Sequence, residues 1–290
     1  MKQHVGIAGA GSMGSGIAQV AATNGNPVTL FDTNSEALQK AQSSIQSSLD
    51  KLVEKNKIDK TQSNFIFSQI KFTDNINELK SSDLFIEAVI ENIEIKQSLF
   101  KNVEGIVSDN CILATNTSSL PVIAIGAACN KQDRIIGLHF FNPPVLMHLV
   151  EVIPSFNTSE KVLTDSVEII RQWGKTPVIA KDTPGFIVNR IARPYYGEAL
   201  RIYEEGIADF ATIDYAMRNI GGFRMGPFEL MDFIGNDVNF KVTETVFSQM
   251  FFDPRYKPSI TQKRLYEGKL FGRKSNRGYN DYKNSNQPQP

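Results

Sequence analysis

Gly9-Ala10-Gly11-Ser12-Met13-Gly14 decides the fold of the first part of this chain. The hexapeptide follows a short apolar run, Val5-Gly6-Ile7-Ala8, and opens a segment of helical patterning that ends near Gly25. A second apolar run, Val28-Thr29-Leu30-Phe31, stops at Asp32. Strand, glycine turn, helix, strand and acid follow in the order of a dinucleotide-binding βαβ unit. Gly9 permits the tight turn, Gly11 lets the backbone approach a pyrophosphate, and Gly14 lets the helix pack close to the sheet. The N–H groups at the helix start, those of Ser12 and Met13 among them, face the phosphates. Asp32 can accept both ribose hydroxyls of an adenosine and repels a 2′-phosphate. Thr33 and Asn34 follow it, with no Arg to receive that phosphate, so NAD is expected rather than NADP.

The rest of the composition narrows the class. The 290 residues suffice for two domains, with 41% hydrophobic residues and 31 charges of each sign. A neutral balance without a basic stripe argues against nucleic acid and membrane surfaces as partners. No run approaches the ~18 apolar residues of a membrane-spanning helix. The first strand begins at once, leaving no room for a signal peptide. Cys111 and Cys129 form neither a metal site nor a redox pair, and read as small buried hydrophobes in a reducing cytoplasm. No metal is expected.

Short β-rich runs alternate with helical periods through the first two thirds. Candidate strands are 5–8, 28–31, 84–88, 112–115, 135–138, 149–153 and 177–180. The clearest helix runs from Ser35 to about Lys55, with Leu38, Ala41, Ile45, Leu49 and Leu52 on one face. The expected class is α/β: a doubly wound, Rossmann-type domain with a mostly parallel sheet over residues 1–183. After Lys181-Asp182-Thr183-Pro184-Gly185 the strands stop. Helical stretches near 186–205, 212–220, 227–234, 238–250 and 259–267 predict an all-helical domain over residues 184–283 for substrate binding and dimerisation. Residues 284–290 read as a disordered tail.

Chemistry is sought where strands end in polar residues. One strand ends at Asn116-Thr117-Ser118-Ser119, another at His139-Phe140-Phe141-Asn142-Pro143-Pro144, and a third carries Glu151 between Val150 and Val152. A buried carboxylate is costly without a partner. A His in reach satisfies it, and the pair is the equipment for proton transfer beside a nicotinamide. A lone His is equally a satisfied core residue. The strand-end position and the glycine fingerprint favour the catalytic reading.

Several blocks then resemble one family, the L-3-hydroxyacyl-CoA dehydrogenases, which include the 3-hydroxybutyryl-CoA dehydrogenases. They are Gly9–Gly14, Glu87-Ala88-Val89-Ile90-Glu91-Asn92, Asn116–Leu120, Gly137–Pro143, Leu149–Val152, Asp182–Arg190 and Met225–Leu230. The resemblance implies NAD-dependent, reversible oxidation of a (3S)-3-hydroxyacyl-CoA to the 3-ketoacyl-CoA by a homodimer. It implies His139 as general base and acid, oriented by Glu151. Ser118 and Asn189 hydrogen-bond near the substrate oxygens and the nicotinamide. Glu91, Lys96 and Asn142 match positions that contact NAD, and Ser48 and Lys55 match positions that contact CoA. Ser118 can alternatively cap the helix that starts near Pro121, and Lys55 can belong to a solvated face. The substrate is expected to be short-chain or dicarboxylic. Arg193 and Arg224 stand where relatives differ, as receptors for a substrate carboxylate or as surface residues paired with an acid. Two rivals are a free 3-hydroxy acid dehydrogenase, whose relatives carry a Lys base where this chain offers Asn189, Arg190 and Arg193, and a non-catalytic NAD-binding protein.

Overall fold

A computed structural model describes residues 2–283, so the expectation for residues 284–290 lies outside the described residues. The chain divides into two compact units, Met1–Thr183 and Pro184–Pro290.

The first unit runs β1 (Val5–Ala8), α1 (Ser12–Thr23), β2 (Val28–Phe31), α2 (Ser35–Glu54), α3 (Lys60–Ser68), β3 (Ile70–Thr73) and β4 (Leu84–Glu87). It continues with α4 (Ile93–Glu104), β5 (Ile112–Thr115), α5 (Val122–Gly126), β6 (Ile135–Phe140), β7 (Leu149–Pro154), α6 (Glu160–Gln172) and β8 (Thr176–Ile179). The described strands form one sheet in the order β3-β2-β1-β4-β5-β6-β7-β8. The first six are parallel, β7 pairs antiparallel with β6, and β8 pairs parallel with β7. The order from β3 to β6 is that of doubly wound dinucleotide folds.

Both faces of the sheet are covered, which explains the continuous apolar runs of β1, β2 and β4. Leu84 and Ile86 join the core cluster that also holds Ile7, Leu30, Ile17 and Leu49. Phe85, between them in sequence, meets the edge of the Phe100 ring of α4. Helix α2 starts where the Asn34 side chain accepts the N–H groups of Glu36 and Ala37, and it buries Leu38, Ala41, Ile45 and Leu49. The Leu and Ile side chains among them each contribute about 1.5–3 kcal/mol by leaving water. Cys111 and Cys129 are free and buried, and burial pushes both thiols up to about 12.

Two elements escape the sequence pattern. Strand β3 was not among the candidates because it lies at the sheet edge, with only Ile70 buried. Helix α3 precedes it, held by an Asp59–Gln62 capping box.

The second unit holds α7 (Val188–Glu204), α8 (Phe210–Asn219), α9 (Pro227–Ile234), α10 (Asn236–Gln249) and α11 (Ile260–Glu267). Its core gathers Tyr196, Leu200, Ile213, Phe228, Met231 and Tyr279. Two buried acids order it. Asp214 accepts the N–H groups of Phe228 and Glu229 at the start of α9. Asp232 accepts those of Tyr279 and Asn280, tying the final turn to α9.

The glycine turn has a specific geometry. Gly9 sits at φ +104°, and a Cβ there would meet the Ala88 carbonyl oxygen at 2.5 Å. A Cβ on Gly14 would lie 1.8 Å from the Gly9 carbonyl oxygen. Gly14 therefore serves the closure of the turn itself, and its nearest sheet atom is the Ile7 side chain at 3.5 Å. Gly11 meets nothing within 4 Å. Gly14→Ala is expected to destabilise the protein by about 2–3 kcal/mol through this clash. Gly11→Ala should leave the thermal midpoint unchanged. Melting curves of the two variants check both statements.

Candidate active site

The site assembles at the carboxyl ends of the parallel strands. No side chain caps α1, whose N-cap is Gly11, so its first N–H groups remain available to an anion. Asp32 lies at the end of β2. Its Oδ2 accepts the Ala10 N–H at 2.7 Å and its Oδ1 accepts the Asn34 N–H at 2.9 Å. The acid expected to read the ribose is thus oriented by the glycine turn itself. Open space over Gly11, an uncapped helix start and an anchored acid together fit a dinucleotide.

His139 and Glu151 face each other as directly paired residues of β6 and β7. His139 Nδ1 lies 2.7 Å from Glu151 Oε2, and both side chains are buried. The antiparallel register places the two side chains on one face of the sheet, at the close spacing of cross-strand neighbours. An ionised carboxylate only accepts, so Nδ1 carries the hydrogen and Nε2 is the ring nitrogen able to exchange a proton. The Phe141 ring lies tilted against the imidazole, with ring centroids 4.5 Å apart. Asn116, at the end of β5, accepts the Phe140 N–H at 2.8 Å and so fixes the backbone beside His139.

The loop after β6 carries Asn142, which is exposed. Pro144 in this loop packs on Gly16 of α1, where a Cβ would come within 2.8 Å of Pro144 Cδ. Lys175 holds the loop by donating to the carbonyls of Pro144 and Met147 at 2.6 and 2.9 Å. Burial holds that ammonium below its ordinary value. The loop that carries Asn142 is thereby held against α1.

A charged group lies at the end of β4. Glu87 is fully buried and accepts Lys96 Nζ at 2.6 Å, the Val89 N–H at 2.7 Å and the Thr115 hydroxyl at 2.7 Å. Lys96 also meets Glu91 at 3.1 Å. Glu91 accepts the Thr117 hydroxyl, the Ser118 N–H at 3.1 Å and the Ser119 hydroxyl at 3.1 Å. Lys96, expected to touch the cofactor, is 1% exposed and enclosed by two carboxylates. The structure brings it to the site as their counter-ion. Nor does Ser118 cap α5. Asp182 does so, accepting the N–H groups of Val122 and Ile123 at 2.9 and 2.8 Å.

The remaining expected residues lie on other elements. Ser48 is half-buried on α2, and Lys55 is exposed just past its end. Among the described residues no hydrogen bond or ion pair joins either to the strand-end group. Asn189 stands in the first turn of α7, in the second unit. Arg224 is exposed. Arg193 is 5% exposed and pairs with no acid among the described residues, so the expected surface ion pair does not form. Its Nη1 donates to the Asn239 carbonyl and the Thr243 hydroxyl at 2.9 Å each, while Nε lacks a partner. Burial pushes the guanidinium down to about 10.

Sequence reasoning passed over Glu87, Thr115, Thr117, Asn116 and Asp182 as site residues. The signal for Glu87 was an acid closing the apolar run Leu84-Phe85-Ile86. Among the described residues no group of His, Cys, Asp or Glu is placed to hold a metal ion, and no helix is long and apolar enough to cross a membrane.

Sheet order, glycine turn and anchored acid define an NAD-binding domain, here followed by a helical unit. Residues 4–183 match the family model for the NAD-binding domain of 3-hydroxyacyl-CoA dehydrogenase, and residues 185–282 match the model for its C-terminal domain. The chain belongs to the 3-hydroxyacyl-CoA dehydrogenase family, and NAD is its cofactor. It is 42% identical over 281 residues to the 3-hydroxyadipyl-CoA dehydrogenase of Escherichia coli K12, covering 97% of this chain and 59% of that protein. It thus spans about three fifths of that relative. It is 40% identical to the mitochondrial hydroxyacyl-coenzyme A dehydrogenase of Sus scrofa, covering 97% and 91%. The crystal structure of (S)-3-hydroxybutyryl-CoA dehydrogenase from Ralstonia eutropha superposes with a TM-score of 0.93 at 38% identity, covering 97% and 99%.

Burial alone would raise the Glu91 carboxyl, but Lys96, the Thr117 hydroxyl and the Ser118 N–H outweigh it and hold it below the usual range. A lowered carboxylate contributes stability above its unfolded value, and that contribution is lost as pH falls through the folded value. Between about pH 5 and 3 the wild type should therefore lose more stability than Glu91→Gln. Urea denaturation of both proteins across that range measures the difference.

Proposed function

We propose that the protein is an NAD-dependent dehydrogenase that interconverts (3S)-3-hydroxyacyl-CoA and 3-ketoacyl-CoA. The observation that carries this reading is the buried His139–Glu151 pair at 2.7 Å, on the same sheet as the glycine turn. Bound NAD supplies the acceptor for the hydride. In oxidation His139 Nε2 takes the hydroxyl proton, and in reduction it returns one. Glu151 holds the imidazole in the required tautomer and stabilises the imidazolium. Ser118 and Asn189 orient the oxygen that gains or loses the proton, a contribution of positioning. Glu91, Lys96 and Asn142 serve the NAD side, and Ser48 and Lys55 the CoA side. The protein acts as a cytoplasmic homodimer. The helical unit leaves Ile220, Phe251 and Ile260 exposed to receive a second copy, and Cys111 and Cys129 of the first unit are unpaired, as suits a reducing cytoplasm.

The test is NADH oxidation with acetoacetyl-CoA. Wild type should turn over, prefer NADH to NADPH, and lose about 10²–10⁴-fold in kcat on His139→Gln. Tight NADH binding without turnover on any 3-ketoacyl-CoA would favour a non-catalytic NAD-binding protein.

A dicarboxylic substrate is favoured by Arg193, a buried guanidinium without an acid, since a buried charge is costly unless paired. The relative named 3-hydroxyadipyl-CoA dehydrogenase points the same way. Arg193→Met should lower the kcat/KM ratio of 3-ketoadipyl-CoA over acetoacetyl-CoA by at least about tenfold. An unchanged ratio rejects the carboxylate role.

A further inference from the structure

We propose that Glu87 is a positioning residue for the reaction, acting through Lys96 and Glu91 on the Ser118 loop. The inference rests on the reading that Ser118 orients substrate or nicotinamide. Glu87 closes β4, Lys96 lies in the first turn of α4, Glu91 stands in the loop between them, and Ser118 follows β5. One ammonium joins the two carboxylates, at 2.6 Å from Glu87 and 3.1 Å from Glu91. Without it the two like charges would repel across the same space.

The two ends of this chain of contacts do different things. Glu87 is anchored to parts that do not move independently of the sheet. Its Oε1 takes the Val89 N–H and its Oε2 takes the Thr115 hydroxyl, at 2.7 Å each. Glu91, by contrast, spends one oxygen on three donors of a loop, Thr117, Ser118 and Ser119, while its other oxygen meets Lys96. The Ser118 backbone is therefore gripped by a carboxylate whose orientation is set by Lys96, and Lys96 is set by Glu87. An ion pair with a purely structural role would be complete with Glu87 and Lys96 alone. The second carboxylate carries that order outward to the strand end where Ser118 sits. The Thr115 hydroxyl closes the loop of contacts, since it also accepts the Thr117 N–H at 3.2 Å.

Networks of this kind are apportioned by double-mutant cycles. The cycle uses Glu87→Gln, Ser118→Ala and the double variant in the full chain. It reads kcat and KM for acetoacetyl-CoA reduction by NADH, with thermal melting as the check on folding. Gln keeps the size of Glu87 and can still accept a hydrogen bond, so the change removes the charge on Lys96's partner. Glu87→Gln is expected to lower kcat on the order of tenfold, with a smaller effect on the KM for NADH. In the Ser118→Ala background it should lower kcat by less than about twofold. If Glu87→Gln does not fold, Glu87→Gln/Lys96→Met removes both charges together and should show the same non-additivity. Losses that multiply across the cycle, or an unchanged kcat in Glu87→Gln, overturn the inference and leave the role of Ser118 standing. Full turnover by Ser118→Ala removes that role and this inference with it.

Discussion

An ionised carboxylate kept from water must be met by positive charge or by donors, and the functional end of this sheet is organised around two of them. Glu87 and Glu151 are both fully buried. Glu151 is met by the imidazole of His139, and Glu87 by Lys96, Val89 and Thr115. Such pairs add little net stability over apolar residues of the same volume, but breaking one leaves an uncompensated charge that costs about 3–5 kcal/mol. They act by specification. The first ties β6 to β7 in one register, and the second ties β4, α4 and the loop after β5 into one unit.

The connections explain why the first pair forms. Residues 141–148 join β6 to β7, too few for the helical crossover that a parallel pair needs. The chain must turn back, and β7 runs antiparallel beside β6. That reversal sets Glu151 opposite His139 rather than at the far edge. The same short loop, which carries Asn142, is clamped by Lys175 and packed on α1 through Pro144. The His139–Glu151 pair and helix α1 are thus linked through one short loop.

Much of this was legible in the residues. The glycine turn, Asp32, the helix from Ser35 and the change to helices after Pro184 are local patterns, each written in consecutive residues. Their cause is local, too: the positive φ of Gly9 and the three- and four-residue apolar spacing of α2 follow from nearby backbone sterics and burial. Other features had no local signal. Strand β3 hides at the sheet edge with a single buried residue. Asp182 caps a helix sixty residues away in sequence, a role for which Ser118, nearer in sequence, was the alternative. Arg193 stood open between a carboxylate receptor and a surface ion pair because helical periodicity does not reveal which neighbouring helix, here α10, will cover it.

By itself the sequence determined the class of the first unit, its cofactor and the list of polar residues at strand ends, because turn conformation and amphipathic period depend on neighbours a few residues apart. Tertiary structure alone decided which of those residues meet. His139 and Glu151 are twelve residues apart, Lys96 and Glu87 nine, and Thr115 and Glu87 twenty-eight. Their pairing depends on strand direction, register and the cost of burying charge, and these are settled only when the sheet closes and water is excluded.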